Sequence, residues 1–127
     1  MSQAIAFADL GAQYRRLKTD IDARMAAVMT HGRFINGPEV GEFETALAAY
    51  TGAAHAVSCA SGTDALTIAL MAAGVGPGDD VFVPAFTFTA TAEAVILLGA
   101  RPVFVDVEEA SYLINTDDLT QIGRAHV

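Results

Sequence analysis

The chain has 127 residues, of which 53% are hydrophobic and 17% are charged. This length suits a single domain, and the composition excludes an intrinsically disordered protein. The balance of 7 basic and 15 acidic residues gives a formal net charge of −8, which argues against binding to nucleic acid or to an anionic membrane surface. Cys59 is the only cysteine, so an intrachain disulfide is excluded and a cytoplasmic protein is expected.

The sequence carries no recognisable targeting or membrane segment. Its first ten residues lack the basic segment followed by an apolar segment that is typical of a signal peptide. The uncharged stretch at residues 65–78 is too short to span a bilayer. A soluble protein is expected.

Hydrophobic periodicity predicts two leading helices. Residues 1–14 are expected to be extended or irregular. Apolar residues at helical spacing over residues 17–29 predict a first helix that ends near Gly32. Pro38, at a favourable first position, opens a second predicted helix that ends at Thr51.

Strands and helices alternate over the rest of the chain. Three short apolar runs predict strands, and the segments between them predict helices. The strands are expected at residues 54–59, 81–83 and 102–107, with helices at 63–73 and 89–98 and a further helix near 117. Helical connections of this length indicate right-handed crossovers and parallel pairing. The predicted fold class is α/β, a three-layer arrangement with a mainly parallel sheet and flanking helices.

A Ser-Gly-Thr-Asp sequence at residues 61–64 follows the first predicted strand and opens a predicted helix. The free N–H groups and the dipole of a helix N-terminus favour an anion there. Gly62 lets a ligand approach the backbone closely, and the Thr63 hydroxyl adds a donor. The alternative is an ordinary N-cap formed by Ser61. The spacing matches neither a dinucleotide-binding fingerprint nor a P-loop.

Two further strand ends carry candidate residues. Ligands of parallel α/β sheets gather at the carboxyl ends of strands, where an aromatic ring of the segment 84–89 can lie against a planar ligand. The alternative places Phe86 and Phe88 in the core. Asp106 either serves a site or caps the following turn, and Cys59 is expected to fill an apolar strand. Metal-ligand spacing is absent among His31, His55 and Cys59.

Taken together, six segments resemble the N-terminal part of the DegT/DnrJ/StrS-type sugar aminotransferases. They are FADL at 7–10, FINGPEV at 34–40 with Phe43-Glu44, SCASGTDAL at 58–66, GVGPGDDV at 74–81, VPAFTFTATAEAV at 83–95 and GARPVFVDV at 99–107. The resemblance covers nearly all of residues 5–119. It implies part of the large domain of a pyridoxal-phosphate enzyme with the aspartate-aminotransferase fold (fold type I).

The resemblance also implies roles for particular residues. In this family the Gly-Thr-x segment holds the cofactor phosphate, largely through backbone N–H groups, which here implies Gly62, Thr63 and Asp64. The second aromatic of the PAFTF-type segment stacks on the pyridine ring, which implies Phe88. The family transfers an amino group, usually from glutamate, to a nucleotide-linked keto sugar for lipopolysaccharide, capsule or antibiotic sugars. The segments FINGPEV, SGTDAL and TATAEAV look most like the branch that acts on UDP-linked 3-keto-N-acetylhexuronic acids.

No catalytic residue is assigned within the chain. The family's Schiff-base lysine and the carboxylate on the pyridinium nitrogen lie beyond residue 127. Lys18, the only lysine, stands beside Arg15 and Arg16 and is expected to be a solvated charge. The resemblance further implies a homodimer with a smaller C-terminal domain, whose active site uses residues of both subunits.

Residues 1–121 are therefore expected to be the N-terminal part of the large domain and to be inactive alone. Residues 122–127, IGRAHV, resemble the translation of a sequencing adapter and are expected to be a non-native tail. An alternative is a non-catalytic small α/β module that binds a phosphorylated ligand at the helix starting at Thr63. A response-regulator receiver ranks last. It needs a lysine at a strand end beside a phosphorylatable aspartate such as Asp106, and the only lysine, Lys18, lies in a predicted helix.

Overall fold

The computed structural model describes residues 7–124 and divides the chain into two compact units, Met1–Ser58 and Cys59–Val127. Residues 1–6 and 125–127 lie outside the described residues. They include most of the segment in which a signal peptide was looked for and half of the predicted tail. Within residues 7–124, no helix combines the length and the apolar character needed to cross a membrane.

The first unit contains two helices, α1 (Leu10–His31) and α2 (Pro38–Thr51). The bounds of α2 match the prediction, and α1 ends at His31 with Gly32 as its C-cap, where the left-handed φ of 66° suits glycine. The expectation of irregular structure up to residue 14 is wrong from Leu10 onward. The helix begins earlier because the Asp9 carboxylate accepts the backbone N–H three residues on at 2.8 Å and so caps the first turn.

Two side-chain bridges join α1 to α2. The Arg24 guanidinium donates to Glu42 at 2.6 Å, and the His31 imidazole lies 2.9 Å from a Glu39 carboxylate oxygen. Apolar packing contributes little here, because α1 has no buried residue. Its large apolar side chains are exposed: Leu10, Tyr14, Leu17, Ile21, Met25 and Met29.

The second unit is built around one parallel β-α-β crossover. Its elements are α3 (Gly62–Ala72), β1 (Asp80–Pro84), α4 (Ala90–Leu97), β2 (Arg101–Val105) and α5 (Thr116–Arg124). The two strands pair in parallel, as predicted, and their register runs from Asp80 opposite Arg101 to Pro84 opposite Val105. At the first register position the Arg101 guanidinium binds the Asp80 carboxylate, with Nε to Oδ1 at 2.6 Å.

The core of this unit lies where the strands meet α4. Val83, Val95 and Ala100 form its buried cluster, and Val105 is fully buried. Partly buried side chains of α3 and of the loop before β1 pack against the cluster. Because these buried residues pack together, the carboxyl ends of β1 and β2 lie side by side on one packed core.

The strand predicted at residues 54–59 does not form, so this prediction is wrong and the described sheet has two strands instead of three. An extended segment becomes a strand only when its backbone groups pair with a neighbouring strand. β1 and β2 pair with each other, whereas the N–H of Ser58 donates to the Glu44 carboxylate at 2.7 Å. Cys59 is consequently exposed and is not the core filling that was expected.

Candidate functional site

The N-terminus of α3 is capped by Ser61. Ser61 has extended backbone angles (φ −154°, ψ 167°), and its Oγ accepts the backbone N–H of Asp64 at 3.1 Å. The same hydroxyl donates to Asp64 Oδ2 at 2.9 Å. The N-cap interpretation is thus correct for Ser61, and in this conformation the Asp64 amide already has a partner.

The amides of Gly62 and Thr63 remain at the positive end of α3. Helix geometry leaves the first N–H groups without an acceptor inside the helix. A methyl group placed on Gly62 would meet no atom within 4 Å, so open space borders this residue. Thr63 is half-buried, and its carbonyl accepts the Thr67 hydroxyl at 3.0 Å, which ties the first turn to the second. Two N–H groups and an open approach fit a phosphate group.

The charge of Asp64 sets a condition on anion binding. Its carboxylate lies in the first turn of α3, where it interacts favourably with the helix dipole but repels an approaching anion. The hydrogen bond from Ser61 holds one of its oxygens at the cap. An anion that also takes the Asp64 amide must displace the Ser61 hydroxyl from that N–H.

Phe88 presents its ring to solvent at the carboxyl end of β1. It directly precedes Thr89, the N-cap of α4, and its side chain is 79% exposed. Phe86 is 69% exposed, and its ring centroid lies 5.5 Å from that of Tyr112. The interpretation of both phenylalanines as core residues is wrong, because the core is filled by smaller residues of β1, α4 and β2. An exposed ring at Phe88 is free to contact a planar ligand.

Asp106 acts in the turn after β2. Its carboxylate accepts the N–H of Val107 at 2.8 Å, and its own N–H donates to Asp118 Oδ2 at 2.9 Å. The carbonyl of Asp106 accepts the N–H of Asn115 at 2.8 Å. These bonds support the turn-capping interpretation of this residue.

Lys18 lies on the exposed side of α1. Its ammonium group forms an ion pair with Asp22 and lies 5.5 Å from the centroid of the Tyr14 ring. Hydrogen bonding to Asp22 is the main reason that the pKa of Lys18 is raised, with a smaller effect from Tyr14. A raised pKa keeps the amine protonated, whereas a nucleophilic lysine needs its neutral form. The solvated-charge interpretation is confirmed.

Sequence reasoning missed Glu44 as a residue that organises the chain before α3. Glu44 Oε1 accepts the N–H of Ser58 at 2.7 Å and the Ser58 hydroxyl at 2.8 Å. The N–H bond is the main reason that the pKa of Glu44 is lowered. No local pattern signals this pairing, because the partner lies 14 residues away. Among residues 7–124, no group of three acidic, histidine or cysteine side chains is placed to hold a metal ion.

The second unit is an α/β unit in which, among the described residues, the amides of Gly62 and Thr63 have no hydrogen-bond acceptor at the N-terminus of α3. The chain belongs to the DegT/DnrJ/EryC1/StrS aminotransferase family, which it matches over residues 15–122. It is 55% identical over 108 residues to the Pseudomonas aeruginosa UDP-2-acetamido-2-deoxy-3-oxo-D-glucuronate aminotransferase, covering 85% of this chain and 30% of that protein. The family resemblance seen in the sequence motifs is confirmed.

Solved structures agree with this assignment. A DegT/DnrJ/EryC1/StrS aminotransferase from Brucella abortus is 52% identical, with a TM-score of 0.88 over 92% of this chain and 31% of its own. DesV of S. venezuelae is 40% identical, with a TM-score of 0.91 over 94% of this chain and 32% of its own. The predicted fold class is confirmed as a partial α/β domain of this type.

The comparisons also identify the cofactor of the family and show how much of the relatives' length this chain covers. Pyridoxal phosphate is the cofactor of the family, and similar solved structures include PLP and PMP forms. The chain spans about a third of the length of these relatives, 30% to 32% in the three comparisons above.

Proposed function

We propose that the complete protein is a pyridoxal-phosphate-dependent aminotransferase that acts on a nucleotide-linked keto sugar, with glutamate as amino donor. In this proposal the chain contributes the part that binds the cofactor phosphate and ring, and it is inactive alone. The main support is the N-terminus of α3, where the amides of Gly62 and Thr63 have no acceptor within the part of the chain that the structure describes and open space borders Gly62. Family membership supplies the reaction class.

Four residues are proposed to hold the cofactor. The amides of Gly62 and Thr63 bind the phosphate, and the amide of Asp64 joins them when the Ser61 hydroxyl turns away from it. The exposed ring of Phe88 lies against the pyridine ring. The bound cofactor supplies the electron sink that amino-group transfer requires. The chain itself orients the cofactor, and the reactive lysine belongs to a part of the protein outside these residues.

The substrate is proposed to be a UDP-linked 3-keto-N-acetylhexuronic acid, and its product a precursor for a polysaccharide. Support comes from the 55% identity to the Pseudomonas aeruginosa enzyme, whose name specifies a UDP-linked 3-oxo-glucuronate. A homodimer in the cytoplasm completes the proposal. The single cysteine, Cys59, suits a reducing compartment.

Residues 1–121 are proposed to be the N-terminal part of the large domain, with a non-native tail at 122–127. The family match, which ends at residue 122, supports the boundary. Sequencing the source gene across codon 121 tests this. A frame that continues into a downstream aspartate and lysine is expected, and a verified stop codon directly after Val127 would contradict it.

Cofactor binding is tested on the 127-residue chain with pyridoxamine phosphate, which has no aldehyde and cannot condense with Lys18. We expect the amide resonances of Gly62 and Thr63 and the ring resonances of Phe88 to shift together at millimolar ligand. Shifts that appear equally with inorganic phosphate and leave the Phe88 ring unaffected would favour the non-catalytic phosphate-binding module. No shift at these amides would refute the proposed site.

A further inference from the structure

The segment between β1 and α4 carries Phe88, and hydrogen bonds fix this segment at both ends. At the first end, the N–H of Ala85 donates to the Val105 carbonyl at 2.8 Å, which continues the pairing of β1 with β2. At the other end, the hydroxyls of Thr87 and Thr91 lie 3.1 Å apart, and the Phe88 carbonyl accepts the Thr91 N–H at 3.0 Å. The backbone of the segment is therefore tied to β2 before the ring and to α4 at the ring.

The middle of this segment is held by a contact between two aromatic rings. The ring centroid of Phe86 lies 5.5 Å from that of Tyr112, and the ring planes are tilted by 38°. Aromatic pairs at this separation attract each other beyond the area that they bury. Because Phe86 is 69% exposed, little other packing restrains its side chain. Both rings and Phe88 belong to the second compact unit.

Tyr112 has a left-handed backbone conformation, with a φ of 57°. This conformation is unfavourable for a residue with a bulky side chain and persists where surrounding contacts enforce it. Here the Tyr112 N–H donates to the Glu108 carbonyl and the Glu108 N–H donates to the Leu113 carbonyl, both at 2.9 Å. An antiparallel bridge between Val107 and Ile114 closes the same turn. Since glycine adopts this conformation more easily, what the tyrosine adds at this position is its ring.

We propose that Tyr112 is a positioning residue for the part of the cofactor site that contacts the pyridine ring. This inference rests on the proposed function, because it concerns the placement of Phe88 in that same site. By packing on Phe86, the Tyr112 ring restricts the segment between β1 and α4, so Phe88 loses less freedom when the cofactor binds. A site that is ordered in advance binds its ligand more tightly, because less conformational entropy is lost on association.

A positioning role differs from a general contribution to folding in the part of the ligand that it affects. The pyridine ring is proposed to contact Phe88, whereas the phosphate is proposed to bind the amides of Gly62 and Thr63. Loss of the Tyr112 ring should therefore weaken the binding of pyridoxamine phosphate and leave the binding of inorganic phosphate unchanged. Loss of the fold would weaken both. Leu113 is the matched control, because it is the next residue of the same turn and its side chain is 68% exposed.

The experiment titrates the 127-residue chain and four variants with pyridoxamine phosphate and, separately, with inorganic phosphate, followed by amide chemical shifts. Tyr112→Gly and Tyr112→Asn remove the ring and suit the left-handed backbone, so both are expected to fold. Both are expected to weaken pyridoxamine phosphate binding about twofold to tenfold, with unchanged affinity for inorganic phosphate. Tyr112→Phe, which keeps the ring, and Leu113→Ala are expected to bind both ligands as the wild type does.

Amide order parameters without ligand provide a readout that does not depend on the proposed function. Residues 86–88 are expected to have lower order parameters in Tyr112→Gly and Tyr112→Asn, and wild-type values in Tyr112→Phe and Leu113→Ala. If the wild type fails to bind pyridoxamine phosphate, the proposed function fails. The positioning role is overturned if the two variants without the ring keep wild-type order parameters at 86–88. It is also overturned if they bind pyridoxamine phosphate as well as the wild type, or lose inorganic phosphate to the same degree.

Discussion

Replacing Gly62 by alanine separates ligand binding from folding at the start of α3. Gly62 is the first residue of the helix, its φ lies outside the left-handed region, and a methyl group there meets no atom within 4 Å. The fold therefore accepts alanine without strain. The helix preference of alanine over glycine should raise the free energy of unfolding by up to about 1 kcal/mol.

In the proposed site, the same methyl group would occupy the open space beside the amides that bind the phosphate. Two charge-assisted hydrogen bonds from Gly62 and Thr63 are worth roughly 3–6 kcal/mol before costs, and association costs at least about 4 kcal/mol. Before any stacking on Phe88, these terms leave at most about 2 kcal/mol, which corresponds to a dissociation constant of roughly tens of millimolar or weaker. Losing one of the two bonds, at about 1.5–3 kcal/mol, should weaken binding at least about tenfold.

The assay combines thermal unfolding with an amide-shift titration by pyridoxamine phosphate. Gly41→Ala is the control, because Gly41 lies in α2 and a methyl group there also meets no atom within 4 Å. It should gain stability without any change in affinity. If Gly62→Ala binds pyridoxamine phosphate with wild-type affinity, the proposed phosphate site at Gly62 is refuted. If the variant loses much stability, the described geometry of the helix N-terminus is refuted.

Four further predictions concern the cap, the ring, the core and acid sensitivity. Ser61→Ala removes the acceptor of the Asp64 N–H and should cost about 1 kcal/mol in thermal unfolding, whereas Ser61→Asp restores most of it. Phe88→Ala should change stability by less than about 0.5 kcal/mol, because the ring is 79% exposed, yet abolish the pyridine-dependent part of pyridoxamine phosphate binding. Val95→Ala should cost about 1–3 kcal/mol in urea unfolding, because the side chain is 1% exposed, and a smaller loss would contradict the core assignment. Because hydrogen bonds lower the pKa of Glu44, its contribution to stability is present above its unfolded-state pKa and lost as the pH falls through its folded-state pKa. Urea midpoints of Glu44→Gln should accordingly fall less steeply in acid than those of the wild type.

The helices were predictable where local signals were strong. The two ends of α2 are marked by Pro38 at its first position and by Gly52 directly after its last. Each of these residues affects only the helix turn next to it, so its effect can be predicted from the local sequence. The early start of α1 was missed because its signal is one capping aspartate, Asp9, ahead of a turn with few apolar residues. The Ser61 cap was foreseen as an alternative because it too is a local interaction.

The predicted strand at 54–59 and the alternative that placed both phenylalanines in the core are wrong for one physical reason. Apolar composition indicates a preference for burial, but burial and pairing need a partner, and partners are set by distant parts of the chain. Phe86 contacts Tyr112, 26 positions away in the sequence numbering, and remains mostly exposed. Ser58 pairs with a helix side chain instead of a strand.

Local chemistry in the sequence was enough to indicate the family, the bounds of α2 and the Ser61 cap, because caps, turns and periodicity act over a few residues. Three-dimensional packing alone revealed that Phe88 faces solvent and that Glu44 holds Ser58. These features depend on side-chain orientation and on contacts between remote residues, and neither leaves a periodic trace in the order of amino acids.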